Sequence, residues 1–440
     1  MRVVRRGGLL MRKGGLIALA LLLIASVASL AVVGCGGPGE EPDGEGKVYT
    51  LKYAQPAAIR ESYFGLPAEE NAVNLWKKAV ETVTDGQIQI DLYPGESLHK
   101  GVAAFESCST GVSDIAFAIA TYSPEWLPME DVWYLPAMND LAEQNGVIYK
   151  ELYDDHFKDD YHDRGLINVA CAGGAPYVVW SVSEPIRTIE DFEGLTMRAS
   201  GKAQEVVISP LGVLPVDVAW TDAYEALQKG IIDTSSLSLS VLIDQRWYET
   251  GDPGYVIDVG GIGLYHVIYL GNKGVFDQIP DDLLEKFFKV SDYWLNYYGG
   301  QRLGASDLLL LEELDDLGIE YIEWSQEQKQ EFREEYRDPV YDWWIDRMED
   351  RHGRGDDAAE LLDAYREKLE NFEYGARAPM HPIYLDEPYY SILTEAGYLV
   401  SQEAWDHVTG PDGTWGMDYD YYEGFEGDYE WEIMGLASEE

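Results

Sequence analysis

The 440-residue sequence is poor in cysteine, histidine and basic charge. It contains 3 Cys and 7 His, and its 32 Lys and Arg residues stand against 80 Asp and Glu residues, which gives a formal net charge of −48. Such a surface repels nucleic acid and anionic membrane alike. The sequence also lacks CxxC, HExxH, GxSxG and P-loop patterns. We therefore predict no metal site, no cofactor and no enzymatic activity.

The N-terminal segment carries a targeting signal. Five basic residues among the first 13 precede an uncharged apolar run, Leu16 to Val33, and the small residue Gly34 stands before Cys35. This order is typical of a secretory signal peptide, and the end of the segment resembles a bacterial lipobox in which Cys35 is lipidated. The alternative is an uncleaved transmembrane anchor, since 18 apolar residues can just span a bilayer. Both interpretations place the rest of the chain outside the cytoplasm.

Residues 36–47 contain only glycine, proline, lysine and acidic residues, so they predict a flexible tether. We therefore expect an extracytoplasmic protein with a lipid anchor at Cys35, held on the outer face of the cell membrane or in the periplasm. The other two cysteines, Cys108 and Cys171, lie in apolar contexts. An oxidising compartment permits a disulfide between them, and two buried free thiols are equally compatible with the sequence.

Residues 48–172 predict the first of two lobes. Residues 48–54 and 88–92 alternate apolar and polar side chains, and residues 114–120 form a continuous apolar run of the kind seen in covered parallel strands. Helical spacing of apolar residues over 69–84 and 100–108 separates these strands. The order strand, helix, strand, helix, strand predicts a βαβαβ unit and an α/β fold class.

The second lobe is predicted over residues 173–263. Strands are expected at 177–182, 195–199, 215–218 and 231–233, with helices at 203–211 and 221–229. Residues 264–300 then return to the first lobe, and residues 301–375 form long helices that bridge or pack on both lobes. A capping box at Ser325 and Gln328 opens one of these helices. Residues 376–440 form an acidic, aromatic C-terminal extension.

Six short segments together resemble one family. They are GQIQIDLYP at 86–94, GVSDIA at 111–116, IEDFEGLTMR at 189–198, LGVLPV at 211–216, YEALQKGIID at 224–233 and NKGVFDQIP at 272–280. In this order and spacing they resemble the substrate-binding proteins of tripartite ATP-independent periplasmic (TRAP) transporters, the DctP-like group. The resemblance implies a Venus-flytrap fold that binds an organic carboxylate between its lobes. It also implies delivery to an integral-membrane permease driven by an ion gradient.

The same resemblance implies that Arg198 grips the carboxylate. A guanidinium group offers a planar pair of donors that matches a carboxylate and keeps its charge. The alternative is a surface arginine paired with one of the many acids. Trp220, Tyr224 and Trp180 are candidates to cover the carbon skeleton of a ligand, or they pack as ordinary core residues.

Four further candidates rest on their position in the chain. Gln55 and Tyr122 follow predicted strands of the first lobe, where strand ends open toward a crevice. Ser235 and Ser236 stand where many family members carry other polar ligand contacts, so the sequence leaves the ligand undefined. No second arginine is evident at the start of the second lobe. A function of another class remains open, a ligand-sensing module that presents its closed form to a membrane signalling receptor.

Overall fold

The structure is a computed structural model that describes residues 46–59, 71–136, 138, 142–199, 201–251 and 253–372. The predicted signal segment with Cys35, nearly all of the tether and the C-terminal extension lie outside the described residues. Within these ranges no helix combines the length and the apolar character needed to cross a membrane.

Strands and helices alternate along most of the described chain. The strands are β1 Tyr49–Ala54, β2 Ile88–Tyr93, β3 Ile115–Ala118, β4 Leu166–Pro176, β5 Val178–Ser181, β6 Thr196–Ala199, β7 Leu214–Asp217, β8 Thr234–Leu237, β9 Gly254–Asp258, β10 Leu264–Asn272 and β11 Ile319–Glu323. The α-helices are α1 Ala72–Val83, α2 Ala104–Ser109, α3 Ala142–Leu152, α4 Lys158–Asp163, α5 Lys202–Ile208, α6 Ala223–Gln228, α7 Leu239–Asp244, α8 Lys273–Phe276, α9 Asp281–Ser291, α10 Tyr298–Glu313, α11 Gln326–Phe332, α12 Asp338–His352 and α13 Gly355–Glu370.

The strands form two sheets. The first has the order β2-β1-β3-β10-β4, and the second has the order β11-β9-β5-β8-β6-β7. Strand β1 pairs in parallel with both β2 and β3, as the predicted βαβαβ unit requires. We call the first sheet with its helices lobe I and the second sheet with its helices lobe II.

The chain passes between the two sheets three times. It leaves lobe I between β4 and β5, returns between β9 and β10, and enters lobe II again through α10 and β11. The strand Ile319–Glu323 was not predicted, because residues 301–375 were expected to form only long helices that bridge or pack on both lobes. Helix α10 contacts both lobes. A side chain at its Gly300 would lie 3.3 Å from the Gly173 carbonyl oxygen of β4, and Asp307 Oδ1 accepts a hydrogen bond of 2.6 Å from the Ser240 amide of α7.

Two local predictions in lobe II are wrong. The strand expected at residues 231–233 lies at Thr234–Leu237, and Ile231 is half exposed in the turn before it. The helix expected from Thr221 begins at Ala223, after a short 3-10 turn at Trp220–Asp222. In the case of the strand, burial of small hydroxyl residues overrode local polarity, since every residue of β8 is buried between two neighbouring strands.

The largest hydrophobic cluster runs through both lobes. It contains Ala116 and Ile268 from the first sheet, Met197 and Ile257 from the second, and Trp344 from helix α12. The capping box at Ser325 and Gln328 is present and opens α11 as predicted. Burial of aromatic and aliphatic side chains in one continuous cluster means that the C-terminal helices stabilise both lobes together.

The two cysteines of the described chain are free thiols. Cys108 lies in α2, where its Sγ is 3.8 Å from the carbonyl oxygen of Asp114, and Cys171 lies in β4. Both are buried, and burial raises the pKa of each thiol well above its usual value. They therefore belong to the core as neutral, unreactive groups.

Candidate functional site

A cavity of about 210 Å³ lies between the two sheets. Its lobe I wall includes Gln55, Phe117, His266 and Tyr269, and lobe II contributes other residues, among them Arg198 and Ser236. Aromatic rings make up much of the lining: Phe117, Tyr134, Tyr177, Trp220, Trp247 and Tyr269. A mostly apolar cavity with a few convergent polar groups is the usual form of a small-molecule site.

Arg198 occupies the middle of lobe II. It lies on β6 in register with Val216 of β7 and Ser235 of β8. Its side chain is only 4% exposed, and its Nε donates a 2.8 Å hydrogen bond to the carbonyl oxygen of Val218. Among the described residues no carboxylate forms an ion pair with it, in a chain with 80 acids. The alternative of an exposed surface arginine is therefore wrong.

Three other predicted residues line the same cavity. Gln55 is held by two hydrogen bonds, since its Oε1 accepts from the Tyr53 hydroxyl at 3.0 Å and its Nε2 donates to the Ala57 carbonyl at 2.9 Å. Ser236 Oγ accepts a hydrogen bond from Gln204 Nε2. Trp220 lies at the lobe boundary, and the hydroxyl oxygen of Tyr122 in lobe I accepts a 3.0 Å hydrogen bond from its backbone N–H.

The remaining four predicted residues lie outside the cavity lining. The Tyr122 hydroxyl accepts the hydrogen bond from the Trp220 backbone, but Tyr122 does not line the cavity. The Tyr224 hydroxyl lies 3.4 Å from Glu249 on an exposed face. Trp180 is fully buried against Gly254, and Ser235 is buried within β8. Their predicted ligand contacts gain no support from this geometry.

The sequence did not predict His266 as a residue of the site. It lies in the apolar strand β10, where a core residue is expected. Its Nδ1 is 2.8 Å from Asn145 Oδ1, and its Nε2 is 3.4 Å from Glu130 Oε2 without the alignment of a hydrogen bond. The other Glu130 oxygen accepts hydrogen bonds from Tyr149 and Tyr161. Burial lowers the pKa of His266, and the nearby Glu130 only partly opposes this. The imidazole is therefore neutral at pH 7.

Sequence reasoning also missed Arg302, the second cation of the cavity lining. It lies on α10, and helical periodicity alone does not tell which face of a long helix meets a cavity. Within the described part of the chain Asp244 is the only carboxylate in the lining. The cavity thus concentrates positive charge inside a strongly acidic protein, as capture of an anion would require.

Two α/β lobes, three chain crossings and a cavity between the lobes are the architecture of a two-lobed solute-binding protein. The model of bacterial extracellular solute-binding protein family 7 (DctP) matches residues 67–346, and the chain belongs to this family. The resemblance seen in the sequence motifs is confirmed. No group of three His, Cys, Asp or Glu side chains suited to hold a metal ion occurs in the described ranges.

Relatives and solved structures agree with this assignment. The chain is 24% identical over 299 residues to the C4-dicarboxylate-binding periplasmic protein DctP of Rhodobacter capsulatus, a match that covers 67% of this chain and 88% of the relative. A marine metagenome TRAP solute-binding protein in complex with 3-hydroxybenzoate has a TM-score of 0.66 at 20% identity, covering 75% of this chain and all of the other. A Rhodoferax ferrireducens T118 protein with benzoate has a TM-score of 0.63 at 23% identity, covering 74% and 98%. The predicted two-lobed α/β fold is confirmed.

Proposed function

We propose that this protein captures a small organic carboxylate in the cavity between its lobes and delivers it to a TRAP-type permease driven by an ion gradient. The observation that carries the proposal is Arg198, a buried guanidinium without a carboxylate partner among the described residues, facing an aromatic-lined cavity. A charge-assisted pair of hydrogen bonds to a ligand carboxylate would supply the missing counter-charge. The named ligands of the similar structures, including benzoate, 3-hydroxybenzoate and malonate, have this chemistry.

Calorimetric titration of the purified soluble protein tests the capture step. The panel comprises benzoate, 3-hydroxybenzoate, malonate and succinate, with benzyl alcohol and benzamide as uncharged matches for the aromatic acids. We expect at least one acid to bind and the uncharged molecules not to bind, because only the acids can pair with the guanidinium. Equal binding of benzoate and benzamide, or no binding of any acid, would contradict the proposal.

We further propose that Cys35 carries a lipid that holds the receptor on the membrane surface. The support is the basic, apolar and Gly-Cys order at residues 1–35, together with membership in an extracellular family. Full-length protein should fractionate with membranes after expression in a bacterial host, and the Cys35→Ser protein should not take up a clickable fatty-acid label. Labelling that persists in Cys35→Ser protein would show that the anchor lies elsewhere.

Gly201 offers a test of lobe closure. It has a φ of +88°, and a Cβ at this position would lie 2.4 Å from the carbonyl oxygen of Thr121 in lobe I. Real carbon and oxygen atoms do not approach so closely, so Gly201→Ala should keep the lobes apart near Arg198 and Trp220. We expect the affinity for a bound acid to fall about tenfold or more, the equivalent of at least 1.4 kcal/mol of closure energy.

The matched control is Gly194→Ala. Gly194 has a similar φ of +82°, but a Cβ there would have no neighbour within 4 Å. An alanine strains the backbone at either position, because both φ values are positive, and only Gly201→Ala adds a clash between the lobes. Calorimetric titration of both proteins separates the effects. Equal losses of affinity in the two variants would contradict a role of the Gly201 contact in closure.

A further inference from the structure

The crossing from β9 to β10 is rich in glycine. Residues 259–263 carry the chain from lobe II back to lobe I, and φ is +87° at Gly260, +93° at Gly261 and +128° at Gly263. Glycine adopts either sign of φ without a steric penalty, and lobe movements are absorbed by a few residues of this kind. The crossing from β4 to β5 lies beside it, since the Tyr177 amide donates a 2.8 Å hydrogen bond to the Gly263 carbonyl.

A buried lysine holds the start of the crossing from β9 to β10. Lys329 of α11 is only 7% exposed, and its Nζ lies 2.6 Å from Oδ2 of Asp258, the last residue of β9. The Oδ1 atom of Asp258 accepts a 2.8 Å hydrogen bond from the Gly260 amide. The lysine stem covers the same turn, because a Cβ at Gly260 would lie 3.1 Å from Lys329 Cγ. Lys329 therefore fixes both the carboxylate and the backbone that the carboxylate orders.

The second partner of Lys329 is Glu323, which does not belong to the crossing. It lies on β11 in register with Asp258, its Oε1 is 3.0 Å from Lys329 Nζ, and its side chain is 57% exposed. A lysine is rarely buried unless it is paired, and desolvation offsets much of the attraction within a buried ion pair. The net stability from such a pair is small, so its value lies more in the geometry that it imposes on the turn at Gly260.

The helices next to Lys329 are attached to both lobes. The neighbouring Gln328 donates a 2.8 Å hydrogen bond from Nε2 to the carbonyl oxygen of Arg187 in lobe II. Farther along the chain, Arg347 of α12 forms its buried ion pair with Asp131 of lobe I. Lys329 therefore contacts the crossing from a segment that spans both lobes, and it can transmit a restraint on their relative position.

The lobes are in contact across the cavity in this structure. The Tyr122 hydroxyl of lobe I accepts a 3.0 Å hydrogen bond from the Trp220 amide of lobe II. The contact between Lys329 and Asp258 is thus formed in the conformation that would enclose a ligand. Loss of this contact would free the turn at Gly260 and add conformations in which the lobes stand apart. A ligand that needs both lobes then finds a smaller fraction of competent molecules.

We propose that Lys329 is a positioning residue for solute capture, which acts through Asp258 to hold the 259–263 crossing in the shape that keeps the lobes together. The effect on affinity rests on the proposed function. The effect on the lobes does not, because it can be measured without a ligand. Lys329 itself does not line the cavity, so its influence on the ligand is indirect.

Pulsed electron-spin resonance on soluble protein without residues 1–35 measures the distance between the lobes. Spin labels are attached at Thr82→Cys in lobe I and Ser183→Cys in lobe II, two exposed positions, while the native thiols of the described chain are buried. We expect ligand-free Lys329→Met to show a broader distribution of distances, shifted to larger values. Asp258→Asn should show the same shift, because it removes the charge that Lys329 binds and keeps the shape of the side chain.

Titration with the tightest acid of the panel measures the effect on capture. The dissociation constant should rise about tenfold in Lys329→Met and in Asp258→Asn, since it varies inversely with the fraction of competent molecules. The double variant should lose no more than either single variant, because both changes break one contact. Glu323→Gln and Lys229→Met are the controls, and each should change affinity less than about twofold. Lys229 pairs with Glu225 on an exposed face and matches the change of net charge.

The remaining outcomes separate this inference from the proposed function. Unchanged lobe distances in Lys329→Met, together with a lower melting temperature, would show that the lysine only stabilises the fold and would overturn the inference. An equal shift of the lobe distances in Glu323→Gln would overturn it as well, because Asp258 would not be the route. If Lys329→Met does not fold, Asp258→Asn decides by the same two measurements. If the distances shift as expected but wild-type protein binds no acid, the role of Lys329 stands and the proposed function fails.

Discussion

Replacing Arg198 with methionine should raise the dissociation constant for the tightest carboxylate of the panel by about 100-fold, the equivalent of about 2–3 kcal/mol. Methionine fills a similar volume, so the loss reports the guanidinium rather than a void. Arg198 Nε also donates to the Val218 carbonyl, and this bond is lost in the variant. Thermal denaturation of ligand-free protein therefore has to accompany the titration, to show that lobe II remains folded.

The control for this prediction is Arg187→Met. Arg187 lies in the same lobe and pairs with Glu320, but both side chains are about half exposed. An exposed pair of this kind contributes about 1 kcal/mol or less to stability, and it lies outside the cavity lining. Both variants change the net charge by one unit. A similar loss of affinity in Arg187→Met would show that overall charge, and not Arg198, controls binding.

The second large effect concerns stability. Arg347 of α12 forms an ion pair of 2.6 Å with Asp131 of lobe I, and both side chains are almost completely buried, at 6% and 1% exposure. Arg347→Met would leave a buried carboxylate without its counter-charge. We expect the free energy of unfolding to fall by about 3–5 kcal/mol near pH 8, measured by urea denaturation of ligand-free protein.

The loss should depend on pH. Burial raises the pKa of Asp131 from 3.8 to about 6, and the Arg347 charge opposes this rise. Without Arg347 the folded-state pKa rises further, so the folded protein takes up a proton more readily than the unfolded chain as the pH falls. The variant should therefore recover part of its stability between pH 8 and pH 5. A destabilisation that is equal at both pH values would contradict this account.

Two variants complete the comparison. Adding Asp131→Asn to Arg347→Met removes the orphaned charge and should restore much of the stability at pH 8. Arg351→Met removes a cation from the same helix, but the pair of Arg351 with Glu125 is exposed on both sides. We expect less than about 1 kcal/mol from that change. A large loss of unfolding free energy in Arg351→Met would show that any change in helix α12 destabilises the protein, and that the buried pair of Arg347 with Asp131 is not the cause.

The sequence allows the first lobe to be predicted well, because its strands are either strictly alternating or continuously apolar. Lobe II is harder to predict. Strand β8 consists of Thr, Ser, Ser and Leu, yet all four are buried because the strand lies between β5 and β6. The sequence predicted the strand three residues earlier, at 231–233, and only the packing of neighbouring strands makes small hydroxyl residues suitable for a central position.

In the candidate site, too, some residues could be predicted from the sequence and others could not. Arg198 could be predicted because it ends a recognisable motif, and the structure places its side chain in the cavity lining. Arg302 lies on a helix, and no local pattern states which face of a helix meets a cavity formed by distant segments. His266 lies in an apolar strand, where a histidine reads as a core residue. Both become candidates only when chain crossings bring the two sheets together.

The contrast between an acidic chain and two arginines in the cavity affects the rate at which the ligand binds. An anion that approaches the receptor first meets the repulsion of a chain with a net charge of −48, and only later the attraction of the interior cations. Dissolved salt weakens the distant repulsion more than the short-range contact, since the screening length is about 8 Å at 0.15 M ionic strength. Raising the ionic strength should therefore increase the association rate constant of the solute. For oppositely charged partners, added salt decreases the association rate constant.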